Sequence, residues 1–227
     1  MIGLFSDSHG DLEAFDAAYE LLRGKGARRF IFAGGRFNDL DEWVLMRKRR
    51  ARGGRTYTDA DFLADVTNFL CNQEQVARPP AFFDEAEDSG ANGPTRPEDF
   101  DKVKERFVRV PDKDSLQYRD ASIPNKAVDM LGDALCTIVH DKNDLEREDL
   151  LNALVFIHGR EPEPKVVQIG PRYFITPGKL TGAAEQTCGL IELVDRNLRF
   201  SAFRLDGKVL VDRHPVELVR KNKLSVK

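Results

Sequence analysis

The stretch GLFSDSHGDLEAF, residues 3–15, joins the end of an apolar run to the start of a helical pattern. Met1 to Phe5 reads as a short strand, and Leu12, Phe15, Ala18, Tyr19 and Leu22 recur at the spacing of one helix face. Lys25-Gly26 closes that helix, and RRFIFAGG, residues 28–35, reads as a second strand ended by two glycines. Strand–helix–strand implies a parallel pair with a right-handed crossover, hence an α/β layered fold. Ligands in such sheets bind beyond the carboxyl ends of the strands, where Asp7, His9 and Gly35 fall. Asp7 and His9 are therefore either the first ligands of a metal site or the polar end of a strand. The rest of the chain has to decide between the two.

Composition narrows the classes. A formal net charge of −3 argues against a general nucleic-acid binder while leaving room for a local basic patch. Cys71, Cys136 and Cys188 are odd in number and widely spaced, which fits neither a disulfide framework nor a cysteine metal site and suggests a reducing compartment. No apolar run is long enough to span a membrane and the N-terminus lacks a signal-peptide layout, so the expectation is a cytoplasmic protein.

Residues 39–101 read as an insertion within a single domain of 227 residues. DLDEWVLMRKRR, residues 39–50, is a helix with Asp39 as its expected cap and its basic residues at the C-terminal end. TDADFLADVTNFL, residues 58–70, is a second amphipathic helix, followed by a loop rich in Pro, Gly and acid from Asp84 to Asp101. Strands resume at RFVRV, ALCTIVHD, ALVFIHG, KVVQIG, RYFITPG and CGLIELVD. Asp206-Gly207 then marks a hairpin inside LRFSAFRLDGKVLVDRH.

At this point the sequence resembles the calcineurin-like metallophosphoesterases, in particular their small bacterial phosphodiesterase branch. GLFSDSHGDLEAFDAAYELL is similar to that family's opening strand, Asp-x-His motif and first helix. CTIVHD resembles its strand ending in His-Gly, LVFIHGREPEP its Gly-His-x-His strand, and YFITPGKLTG its Asn-Pro-Gly-Ser loop. The resemblance covers about residues 1–38 and 103–205. It implies a β-sandwich of metallophosphoesterase type, flanked by helices, with a helical insertion after the second strand. Chemistry in that family needs two cations about 3.5–4 Å apart. Here the place of the bridging Asp is Gly35, and the two histidines of Gly-His-x-His fall on Arg160 and Pro162. Asp7, His9 and His140 survive, and Asp112 is the nearest stand-in for the family's Asn. Asp39 and Asp41 stand close enough in sequence to substitute for the lost carboxylate, although capping a helix is the ordinary role of an acid there.

Two functions follow. The favoured one is a catalytically inactive module that binds an unidentified protein partner, with no cofactor and with Asp7, His9, Gly35, Asp112, His140, Arg160 and Pro162 as vestigial metal positions. The alternative is a divergent phosphoesterase that holds Mn, Fe or Zn through Asp7, His9 and His140. Arg160 is expected to fill the vacated metal position and pair with Asp7, with His9 or His140 close by. The run RKRRARGGR supplies Arg47, Lys48, Arg49, Arg50, Arg52 and Arg55 as a candidate surface for that partner, or for an acidic or phosphate-containing ligand. Trp43, Leu45 and Met46 read as packing residues rather than a docking face.

Overall fold

Side chains alternate along β1 (Ile2–Phe5) and β2 (Arg29–Ala33), and both faces they create are buried. Leu4, Ile31 and Ala33 face a second sheet. Phe5, Phe30 and Phe32 join an aromatic layer with Phe15 and Tyr19 of α1 (Leu12–Gly24) and with Trp43. Trp43 has no exposed surface, and its indole nitrogen donates to Asp16 Oδ1 at 2.6 Å. It is a core residue, as its pattern implied.

The computed structural model describes residues 1–51 and 100–218. The helix expected over residues 58–70, most of the acidic loop, Arg52, Arg55 and Cys71 lie outside the described residues. Two compact units divide the chain: Met1–Trp43 with Asp101–Lys227, and Val44–Phe100. Helix α2 (Asp39–Ala51) ends in the basic residues Lys48, Arg49 and Arg50, and Arg47, Lys48 and Arg50 each make an interaction within the chain.

The first sheet has the order β11 (Val209–Val216), β10 (Asn197–Arg204), β9 (Thr187–Val194), β1, β2, β3 (Phe107–Val110). β1, β2 and β3 are parallel, joined antiparallel to β9. The second sheet runs β4 (Lys126–Leu131), β5 (Ala134–Val139), β6 (Val155–His158), β8 (Arg172–Pro177), β7 (Pro164–Ile169), with β5, β6 and β8 parallel at its centre. Val110, Ile191 and Phe200 of the first sheet share one apolar core with Cys136, Ile138, Val155 and Ile175 of the second. Short helices α3 (Phe100–Lys104) and α4 (Arg147–Asn152) complete the described α-helices. Among the described residues the result is a mixed α/β sandwich with few helices.

β4 is a strand the pattern did not announce. It lies at a sheet edge with Val128 61% and Met130 50% exposed, so no buried alternation marks it. The Asp206-Gly207 hairpin is present between β10 and β11, but the β9–β10 hairpin turns on Asp195 and Arg196, both at positive φ, with no glycine. For function the topology matters in one respect. Asp7 follows β1, Gly34 follows β2, Asp112 follows β3, His140 follows β5, Arg160 follows β6 and Lys179 follows β8. Hydrogen bonds and ion pairs tie these strand ends into one cluster.

Candidate metal centre

Asp7 and His9 both sit in left-handed backbone, at φ 54° and 44°. That conformation is unfavourable for residues with a side chain and persists only where the surroundings enforce it. The enforcement is visible. The Asp7 amide donates to Gly34 O, its carbonyl accepts from Thr181 N at 3.1 Å, and Thr181 Oγ1 adds a second bond at 2.8 Å. Behind the turn, Asp11 caps α1 by accepting from Ala14 N at 2.9 Å.

The Asp7 carboxylate is 2% exposed and is surrounded by donors from the protein itself. Oδ2 accepts from Ser6 Oγ at 2.8 Å and from the Arg160 amide at 2.9 Å. Oδ1 lies 3.1 Å from His140 Nε2, 3.4 Å from His9 Nε2 and 3.9 Å from Lys179 Nζ. Burial pushes the Asp7 carboxyl up, but the hydrogen bond from His140, with those from Ser6 and the Arg160 amide, outweighs it and holds the group below the usual carboxylate range.

His140 has its ring orientation set from both sides. Nδ1 accepts from the Lys113 amide at 2.9 Å, so the proton belongs on Nε2, which donates to Asp7 Oδ1. In this arrangement neither nitrogen offers a free lone pair, so His140 serves Asp7 rather than an ion. His9 is placed differently: it is 44% exposed on its side chain and lies between Asp7 and Asp112, whose Oδ2 is 3.4 Å from His9 Nδ1. One donor atom each from Asp7, His9 and Asp112 lies within 4.8 Å of the others. Two carboxylates and an imidazole suit a divalent transition ion, so these residues fit a single cation.

They do not fit a pair. A side chain at Gly35, at φ 144°, would begin 2.5 Å from Phe32 Cζ and 2.6 Å from Ser8 Oγ, so no bridging carboxylate can be accommodated without rearrangement. Pro162 lines a separate cleft of about 540 Å³ with Pro164, Thr187, Leu210 and Val211. Arg160 corrects the expectation drawn from its position. Its amide, not its guanidinium, bonds Asp7. The side chain, 43% exposed, turns to Asp141 Oδ2 at 2.9 Å and Asp114 Oδ2 at 3.5 Å. A backbone donor suffices at Asp7 because Ser6, His140 and Lys179 already compensate the charge.

Asp39 also departs from its expected cap role. It lies inside the first turn of α2, and its buried carboxylate accepts from Ser8 Oγ and from Gly10 N at 2.9 Å, closing the β1–α1 loop. Its Oδ1 has no hydrogen-bond partner among the described residues. Asp41 is engaged elsewhere, with Arg109 Nη1 at 2.8 Å and Lys104 Nζ at 2.7 Å.

Four site residues escaped the sequence reading. Ser6 and Lys179 touch Asp7, Lys113 orients His140 through its amide, and Asp141 anchors Arg160. Lys179 had a signal, since it follows the Pro-Gly of the fourth motif. Asp141 is held below its usual range: burial raises it, and the Asn143 amide with Lys113 and Arg160 more than reverses that. Asp141, His158, Arg160 and Glu161 line a cleft of about 390 Å³. His158 is buried with Nδ1 3.0 Å from Gly159 O, and burial lowers its pKa, so it is a neutral strand-end residue.

No family model and no curated protein matches the chain. Solved structures do. The phosphoesterase YfcE of E. coli matches at 15% identity over 95% of this chain and 99% of its own, with a TM-score of 0.50. A predicted phosphoesterase from Streptococcus pneumoniae matches at 15% identity over 92% and 91%, with a TM-score of 0.50. Vacuolar Protein Sorting 29 of Cryptosporidium parvum matches at 17% identity over 94% and 96%, with a TM-score of 0.52. The fold of the chain is that of the calcineurin-like metallophosphoesterases. Among the described residues no helix is long and apolar enough to cross a membrane.

Proposed function

We propose that this chain is a cytoplasmic metallophosphoesterase-fold protein that has left dinuclear phosphoester hydrolysis and works as a protein-interaction module. The observation that carries the reading is the set of groups on Asp7: hydrogen bonds from Ser6, the Arg160 amide and His140, and the Lys179 ammonium as an ion pair, converge on the carboxylate that a catalytic cation would need. A buried carboxylate that is already compensated has little to gain from a metal. The fold alone carries no preference, since one neighbour is named a phosphoesterase and another a vacuolar protein sorting protein. In this reading residues 39–101 form a helical insertion in one domain. The basic run from Arg47 to Arg50, continued by Arg52 and Arg55, is the contact surface for an acidic protein partner.

The test is elemental analysis of the purified chain together with hydrolysis of a generic phosphodiester in excess Mn²⁺. Less than one transition ion per chain and no turnover above background are expected. Two ions per chain, with turnover lost in Asp7→Ala, would overturn the proposal. A second reading has its own support in the convergence of Asp7, His9 and Asp112: one Mn, Fe or Zn ion held there, as a Lewis acid for a phosphate group. One ion per chain, removed by His9→Ala, would favour it.

A further inference from the structure

Lys179 stands at the place of the last residue in the Asn-Pro-Gly-Ser resemblance, and a serine there would carry no charge. The backbone around it is fixed on both sides. Its carbonyl accepts from Thr187 N at 3.0 Å, the next amide, Leu180 N, donates to Ser6 O at 3.0 Å, and Thr181 N donates to Asp7 O at 3.1 Å. The loop after β8 is thus stitched to the end of β1, which places the Cα of Lys179 beside the Asp7 turn. Its ammonium lies 3.9 Å from Asp7 Oδ1, and the side chain is 23% exposed. Oδ1 is also the oxygen nearest His9, and with His9 and Asp112 Asp7 makes up the convergent donor group.

We propose that Lys179 is the built-in counter-ion of Asp7 and the residue that sets how weakly Asp7, His9 and Asp112 hold a divalent cation. The physical argument is like-charge exclusion. A cation bound to Asp7 Oδ1 would lie within a few ångströms of a partly desolvated ammonium, where repulsion between the two is little screened. An ion held on Oδ1 and the ammonium 3.9 Å from that oxygen oppose each other. Lys179 therefore does by charge what the lost ligands do by absence: it keeps the turn folded without a metal. The proposal deepens the reading of the chain as a non-dinuclear protein and rests on it.

The experiment titrates Mn²⁺ alone into chelator-treated full chain by calorimetry, for the parent, Lys179→Ser, Lys179→Met and Lys179→Arg. Lys179→Met keeps most of the aliphatic stem and covers the case in which the serine variant does not fold. Either neutral variant is expected to bind one Mn²⁺ at least about tenfold more tightly than the parent, and adding Asp7→Asn is expected to remove that gain. Lys179→Arg keeps the charge and is expected to keep the parent's weak binding, which a purely structural role for the side chain would not require. A folded neutral variant whose affinity stays within about twofold of the parent overturns the proposal. So does Lys179→Arg binding as tightly as the neutral variants. These outcomes compare variants with the parent. Two ions per chain in the parent would instead remove the non-dinuclear reading, so the two failures are told apart.

Discussion

The two halves of the strand-end cluster differ from the motifs that the sequence resembles in different ways. Around β1 and β3 the ligand chemistry is intact, with Asp7, His9 and Asp112 converging, but Asp7 is saturated by its own protein. Around β2 and β6 the matching motif positions, Gly35, Arg160 and Pro162, carry no ligand side chain, and backbone and rings crowd Gly35 and Gly159. Gly35 lies against Phe32, and Gly159 lies against Ala33 and His140. The first half is closed by electrostatics, which a point change can undo. The second is closed by packing, which tolerates no added atoms. Putting ligands back into the second half should therefore unfold the protein before it restores a metal.

The largest effect tests that packing. A Cβ at residue 159 would lie 2.2 Å from Ala33 O and 2.9 Å from His140 Cδ2, and a backbone oxygen held in a parallel sheet cannot yield. Gly159→Ala is expected to cost at least about 3 kcal/mol, seen as a drop in the urea midpoint with unchanged slope. Gly35→Asp should destabilise as well, since its first carbon meets Phe32 and Ser8. The triple variant Gly35→Asp, Arg160→His, Pro162→His binding two Mn²⁺ at an undiminished melting temperature would erase the contrast between the halves.

That contrast also explains what the sequence could and could not reveal. The fold was legible because Leu4, Phe5, Ile31 and Phe32 alternate between two buried faces and the strand ends carry recognisable polar motifs. The motifs pointed to Asp7, His9, Asp112 and His140 at neighbouring strand ends, but they paired Asp7 with His9 and Asp112 with His140, and did not foresee Asp112 converging with Asp7 and His9. Side-chain direction was not legible. Arg160 stands in the right place by count, yet at φ 64° it presents its amide to Asp7 and sends its guanidinium to Asp141. A positive φ at an arginine is set by the surrounding loop and leaves no local pattern. Lys179 was overlooked because its role depends on distance to a residue far away in the chain.

A middle-sized effect separates side chain from backbone at Asp7. His140→Ala removes the buried donor to Oδ1 and leaves the Lys113 amide without its acceptor, a loss of about 2–3 kcal/mol. Arg160→Ala keeps the amide bond to Asp7 and loses the half-exposed guanidinium's ion pairs with Asp141 and Asp114, about 0.5–1 kcal/mol after solvent screening. Thermal melts of the two variants should differ clearly in that order. Equal losses would return the guanidinium to Asp7 and reinstate the substitution that the geometry argues against.

The smallest effect probes what holds the second half in place. Glu161 lies between Arg160 and Pro162 and is clamped by Lys142 on Oε1 and by Lys165 on Oε2, the latter at 2.8 Å. These two bonds, Lys142 first, draw its pKa from 4.5 down to about 2. The folded pKa is lowered, so the contribution is complete above about 4.5 and is lost as pH falls toward about 2. Both lysines are nearly half exposed, which screens the interaction and keeps its worth at neutral pH under about 1 kcal/mol. Glu161→Gln should thus lower the urea midpoint slightly at neutral pH, less so in high salt, and the gap from the parent should shrink as pH falls through that window. The clamp fixes the loop that carries Arg160 and Pro162, so Glu161→Gln should also speed amide exchange at residues 161 and 163, while the Arg160 amide, held by Asp7 Oδ2, keeps its protection. A gap that persists unchanged near pH 2 would mean that Glu161 acts through packing and not charge. The second half would then owe its closure to shape alone.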